Sequence, residues 1–222
     1  GGQQPRSSLL MSRPPARRAR SHGRGDEHKR QRISTEAARI MAEEGVRDFQ
    51  SAKRKAATRL ALDDARDLPT NGEIEQALQQ HLQLFHGDSL ARDVRRLRRL
   101  ALEAMQFLAD FEPRLVGSVL SGTVAPEAEI QLHLRADTPE EVDAFLRERG
   151  IPFRMTERRL RFGGDRQQMV PSYRFTADGV NIELYVFRPQ DARETPLSPV
   201  DGRPMQRASA RDVEALLQDS ER

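Results

Sequence analysis

The spacing of apolar residues changes once along this chain, and that change limits the folds it can adopt. In the first half, apolar side chains recur every three or four residues, the period of an amphipathic α-helix. In the second half they alternate, so that Ile130, Leu132 and Leu134 share one face of a predicted strand. The sequence therefore predicts an α+β fold, with a helical segment over residues 33–111 and an α/β domain over residues 112–222.

Four helices are predicted in the helical segment. The first begins with Ser34 as its N-cap and ends at Gly45, and the second has Asp48 as its cap. The third follows a Pro-Thr-Asn-Gly turn, and the fourth covers residues 89–111. The core side chains expected from the third helix are Ile74, Leu78, Leu82 and Phe85.

Turn and cap signals organise the α/β domain. Thr138 and Glu141 form a predicted capping box at the start of a helix, and Ser209 is the expected cap of a closing helix. Asp178–Gly179 is the expected turn of a hairpin between two alternating strands. Together these signals predict a sheet backed by helices.

Basic residues concentrate at the N-terminus, although the formal net charge of the chain is only +3. Residues 1–32 combine Pro, Gly and Ser with many arginines, and such a segment buries too little apolar surface to offset its ordering entropy. We therefore predict a disordered basic arm. Two interpretations stay open: the arm binds RNA or another anionic partner, or it only keeps the chain soluble.

Several classes of protein are excluded by composition. Cysteine is absent, which excludes disulfides, thiol catalysis and zinc sites built on thiolates. No run approaches the roughly 18 consecutive apolar residues that a membrane span requires. We expect a soluble, cytoplasmic protein without a membrane partner.

One short stretch carries the residues of a phosphate-handling site. Gly117, Ser118 and Gly122 form a Gly-Ser-x-x-x-Gly element, in which backbone N–H groups and a hydroxyl can approach phosphate oxygens. A predicted strand follows, and it places Glu129 and Gln131 two residues apart, on the same side.

This order of elements over residues 112–188 resembles the polymerase-β-like nucleotidyltransferase superfamily. The resemblance implies a mixed sheet, a glycine-serine element that binds nucleotide phosphates, and acidic positions at Glu129 and Gln131. A third carboxylate from a later strand matches Glu183 best. In the family, such carboxylates hold Mg²⁺ for transfer of a nucleoside monophosphate to a hydroxyl acceptor.

Two of the implied catalytic positions depart from the family pattern. Glu129 is longer than aspartate by one methylene, and Gln131 carries no charge, which leaves Glu129 and Glu183 as the candidate metal ligands. An amide oxygen cannot neutralise Mg²⁺ as a carboxylate does, so we expect weak metal binding and a degenerate active site. The resulting hypothesis is a pseudoenzyme that binds nucleotide or RNA.

Three alternatives stay open. The protein is an active transferase in which Glu129 and Glu183 hold one Mg²⁺ and Ser118 contacts the phosphates. Alternatively, residues 33–111 dock a partner and the α/β domain is a scaffold. In the third case the sheet is ordinary and Glu129, Gln131 and Glu183 face solvent.

Two further features allow more than one interpretation. Arginines crowd the first half of the fourth predicted helix, where they form a solvated face or contact phosphate. His133 shares a strand face with Glu129 and Gln131, so a Glu/His metal site with Glu183 is conceivable, although a polar histidine on a strand face more often has no such role. The arginines are Arg92, Arg95, Arg96, Arg98 and Arg99.

Overall fold

Three helices form the first part of the protein, whose computed structural model describes residues 19–63 and 66–221. They are α1 (Ala19–Glu44), α2 (Phe49–Arg59) and α3 (Asn71–Phe107), and α1 packs against both of the others. As predicted, α1 ends before a glycine with positive φ and the Asp48 side chain caps α2.

The first helix begins earlier than the sequence indicates. Ser34 is not a cap but a buried residue inside α1, because the helix already starts at Ala19. Part of the predicted disordered arm is therefore helical. Arg30 ties this part to the fold, since its Nη1 lies 3.0 Å from Asp67 Oδ2 and its Nη2 lies 2.5 Å from Glu73 Oε1. Residues 1–18 of the arm, including Arg13, Arg17 and Arg18, lie outside the described residues.

The third and fourth predicted helices follow each other without a loop, as the two parts of α3 on either side of a kink. His86 has non-helical angles (φ −134°, ψ 17°) inside α3, and the buried stripe resumes at Leu90. The prediction that Phe85 belongs to the core is wrong: the residue is 64% exposed, and its ring packs 4.7 Å from that of His81. The other three predicted core residues of this stretch are buried, namely Ile74, Leu78 and Leu82.

A five-stranded mixed sheet follows in the described part of the chain, which confirms the predicted α+β class. The order is β1-β2-β5-β4-β3; β2 and β5 are parallel and all other neighbours are antiparallel. The strands are β1 (Arg114–Val116), β2 (Ile130–Arg135), β3 (Arg154–Arg161), β4 (Gln167–Ala177) and β5 (Val180–Phe187).

Three shorter helices accompany the sheet: α4 (Ser118–Ser121), α5 (Pro139–Glu148) and α6 (Ala210–Asp219). The predicted cap at Ser209 is confirmed, because its hydroxyl accepts from the amide of Asp212 within a capping box. The predicted capping box of α5 is wrong, since the Thr138 side chain makes no cap hydrogen bond.

The two faces of the sheet have different surroundings. The back face is core, as the alternation predicts: Leu132 and Leu184 are fully buried, and the Tyr173 hydroxyl donates to the carbonyl of Pro139 at the start of α5. Burial of each such aliphatic side chain contributes about 1.5–3 kcal/mol. The front face carries the side chains of Gln131, His133, Arg174, Glu183 and Tyr185.

The predicted hairpin joins β4 to β5. Asp178 and Gly179 both have positive φ (49° and 75°), as a two-residue turn of this kind requires. Within the described residues, none of the helices is long and apolar enough to cross a membrane.

Candidate functional site

The three residues proposed from the sequence meet on the front face. Gln131 and Glu183 are directly opposite each other in the parallel β2–β5 pair, and Glu129 immediately precedes β2 on the same side as Gln131. Glu129 is 7% exposed and Glu183 only 2%. The alternative in which these carboxylates simply face solvent is therefore wrong.

A guanidinium group lies between the two carboxylates. Arg174, directly opposite Glu183 in the β4–β5 pair, places Nη2 2.8 Å from Glu129 Oε1 and 3.7 Å from Glu183 Oε2. Because one nitrogen contacts both acids, the two carboxylates converge on the same point.

Two more arginines complete what we call the arginine–carboxylate cluster: Arg47, Arg158, Arg174, Glu129 and Glu183. Arg47, from the α1–α2 loop, places Nη1 2.5 Å from Glu129 Oε1, and Arg158 Nε donates to Glu183 Oε1 at 2.8 Å. The contacts at Glu129 Oε1 are ion pairs that lack hydrogen-bond geometry. Three guanidinium groups face two carboxylates, so the cluster has one positive charge in excess.

Glu183 is ionised in this setting. Burial is the strongest single influence and opposes its ionisation, but hydrogen bonds from Ser172 and Arg158 and the charges of Arg158 and Arg174 together outweigh burial and lower its pKa. The Ser172 hydroxyl donates to Glu183 Oε1 at 2.8 Å. Burial, and next the charge of Glu183, raise the pKa of Tyr185, so its phenol stays protonated.

The residues present do not fit Mg²⁺. Octahedral Mg²⁺ needs oxygen ligands at about 2.0–2.1 Å, and the point where Glu129 and Glu183 converge is already taken by Arg174. Over residues 19–63 and 66–221, no group of three or more His, Cys, Asp or Glu side chains is placed to hold a metal ion. His133 does not join Glu129 in such a site.

The glycine-serine element lies next to the cluster and contacts Gln131. Gly117 has φ 77° and ψ −156°, and a Cβ built on it would lie 2.5 Å from Gln131 Oε1. Only glycine fits this backbone conformation and this close approach. A ligand oxygen at Gly117 would therefore have to displace the Gln131 amide. Ser118, the next residue, is half-buried.

Helix α4 is fixed from behind by one arginine of α3. Arg98 donates from Nε to the carbonyl of Val119 at 3.0 Å and from Nη2 to that of Leu120 at 2.7 Å. These carbonyls belong to the last turn of α4, where helices lack internal donors. Burial lowers the pKa of Arg98. The arginine run is therefore divided: Arg92, Arg96 and Arg99 are exposed, and Arg98 is structural.

The arginines of the cluster were missed by sequence reasoning. A hairpin turn at Asp178–Gly179 already pairs Arg174 with Glu183 by counting outward along both strands, so this signal was available. Arg158 follows only once β3 is known to pair with β4. No sequence signal places the loop residue Arg47 beside Glu129.

In comparisons with protein-family models and with curated proteins, nothing matches this sequence.

Proposed function

We propose that this protein is a degenerate, nucleotidyltransferase-like protein that binds the phosphates of a nucleotide, free or within RNA, without Mg²⁺ and without nucleotidyl transfer. The observation that carries the proposal is the position of Arg174 between Glu129 and Glu183. A guanidinium there supplies positive charge where a metal-dependent transferase needs a divalent ion.

The cluster has donors to spare for an anion. A guanidinium has five N–H donors, and the side chains of Arg47, Arg158 and Arg174 are 43%, 45% and 38% exposed. Their solvent-facing edges can therefore bind phosphate oxygens while other N–H groups stay paired with carboxylates. Planar guanidinium groups suit this task because they bind phosphate in a bidentate manner.

Neighbouring groups extend the positive surface. Arg154 lies directly opposite Arg174 on β3, on the same face, and is exposed. Ser118 follows Gly117 at the start of α4 and is a further hydroxyl donor that the test can examine.

Isothermal titration of ATP, GTP, CTP, UTP and an RNA oligonucleotide, each in EDTA and in Mg²⁺, tests the proposal. We expect binding of equal affinity in the two buffers and no pyrophosphate release. Each charge-assisted hydrogen bond is worth about 1.5–3 kcal/mol. Arg174→Gln should therefore weaken binding by roughly 10–100-fold.

Two further variants separate binding from folding. Arg154→Gln should weaken binding without disturbing the buried carboxylates, so its effect does not depend on stability. Arg147→Gln on α5, 70% exposed and on the other side of the sheet, is the matched control and should change nothing. Absence of binding by all five ligands, or binding that requires Mg²⁺ and releases pyrophosphate, would overturn the proposal.

A further inference from the structure

Several buried polar atoms on the front face have no hydrogen-bond partner among the described residues. They are Nδ1 of His133, Nε and Nη2 of Arg207, and Nε of Arg135. His133 and Arg135 are two residues apart on β2, so they project from the same face. Because buried polar atoms in proteins are nearly always paired, with protein or with ordered water, these atoms require a partner in addition to the described residues.

Arg207 reaches the front face from the segment after β5. A bridge between Ala208 and Leu115 fixes its backbone beside β1, and its Nη1 donates to the carbonyl of Ala192 at 3.3 Å. Its Cζ lies 5.6 Å from the centre of the Phe187 ring. These contacts keep the guanidinium half-buried above the sheet.

The charge of Arg207 is not compensated. None of the described carboxylates lies within ion-pair distance of it. Burial and the nearby charge of Arg114 lower its pKa. Burying a cation without a counter-charge is costly, so an anion bound at this place would stabilise the fold.

The geometry of the free donors indicates which anion fits. Nε and Nη2 lie on one edge of the guanidinium and form the fork that binds two oxygens of a single oxyanion. The third nitrogen of Arg207, Nη1, already donates to the carbonyl of Ala192. A chloride ion would use this fork poorly, since it has no pair of oxygens.

His133 lies on the same face and has an aromatic neighbour in common with Arg207. It is 4% exposed, its ring centre lies 4.8 Å from that of Phe187, and Phe187 is also the neighbour of Arg207. Burial, and next the charge of Arg207, lower the pKa of His133 to about 3, so the ring is neutral at pH 7. A neutral imidazole carries one N–H donor, which the Nδ1 tautomer directs at an acceptor.

We propose that Arg207 and His133 bind one oxyanion of phosphate or carboxylate size on the front face, at a site separate from the arginine–carboxylate cluster. Arg207 supplies a bidentate contact and the positive charge, and Nδ1 of His133 supplies a third donor. This site does not depend on the proposed nucleotide binding.

Nuclear magnetic resonance of the histidine ring protons at fixed pH 7 tests the site, with inorganic phosphate, acetate and chloride as probes at matched ionic strength. We expect saturable shifts of the His133 signal with phosphate or with acetate, and whichever binds more tightly identifies the kind of oxyanion. Chloride should cause no saturable shift.

Variants of the same segment provide the controls. Arg207→Gln should weaken oxyanion binding at least 10-fold. Arg207→Lys keeps the charge but loses the fork, and it should also weaken binding. It therefore provides the test if Arg207→Gln folds poorly. Exposed Arg203→Gln should leave binding unchanged. A His133 signal that does not respond to either oxyanion, or responds equally to chloride, would show that water alone fills the space. Arg174→Gln should not affect this response, so the two proposals can fail separately.

Discussion

Replacing Gly117 by alanine tests the contact between the glycine-serine element and β2. Its angles, φ 77° and ψ −156°, lie in a region that is essentially restricted to glycine, which costs other residues about 1–3 kcal/mol. The new Cβ would also lie 2.5 Å from Gln131 Oε1, so the amide must move. Coupled neighbours typically interact by about 0.5–3 kcal/mol. We expect Gly117→Ala to destabilise the protein by about 2–4 kcal/mol, a fall in melting temperature of about 4–16 °C.

A double-mutant cycle with Gln131→Ala separates the two contributions. Urea denaturation of the wild type, both single variants and the double variant should show that Gly117→Ala costs less when the amide is absent. Gly179→Ala is the matched control, since Gly179 has a positive φ of 75° but nothing within 4 Å of its Cβ position. The cost at Gly179 should not depend on Gln131. A coupling energy of zero between Gly117 and Gln131 would refute the placement of the amide over the glycine.

Three other outcomes are expected. Gln131→Asp should give no pyrophosphate release with any nucleoside triphosphate and Mg²⁺, because the guanidinium between the carboxylates remains; a large gain of activity would contradict this. The folded pKa of Glu183 lies below its ordinary value of 4.5, so its contribution to stability is complete above that pH and disappears as the pH falls through the lower folded value. Denaturation curves at several pH values should show that Glu183→Gln loses less unfolding free energy on acidification than the wild type does. An equal loss in the two proteins would contradict the pKa direction. Arg98→Met removes two charge-assisted hydrogen bonds and should destabilise the protein by about 1–3 kcal/mol, with faster hydrogen exchange at the Ser121 amide; unchanged exchange would show that Arg98 does not fix α4.

The sequence predicts the sheet better than it predicts the site. The alternation at Ile130, Leu132 and Leu134 and the turn at Asp178–Gly179 are local signals, and both are confirmed. The parallel pairing that places Gln131 opposite Glu183 is not local, because α5, β3 and β4 lie between β2 and β5 along the chain. Arg47 reaches Glu129 from the loop between α1 and α2, and no local sequence pattern predicts that contact.

The early start of α1 was also missed because it involves contacts between residues that are distant in sequence. Composition favours disorder for residues 19–32, but composition does not include partners that are distant in sequence. Arg30 meets Asp67 and Glu73, which lie 37 and 43 residues away, and these ion pairs add to helix formation that would be marginal in isolation. Composition therefore does not report contacts of this kind, which exist only once the chain has folded.

The identity of residue 131 determines the net charge of the proposed nucleotide site. With glutamine, three guanidinium groups face two carboxylates and an anionic phosphate meets a surplus of positive charge. With aspartate at this position the charges would cancel, and the cluster would lose its attraction for phosphate unless a divalent ion joined it. Glutamate at position 129 fits the same arrangement, because its longer side chain reaches Arg47 and Arg174 at once. If the proposal holds, Glu129 and Gln131, which depart from the metal-binding pattern, are thus the residues that leave the arginines free to bind phosphate.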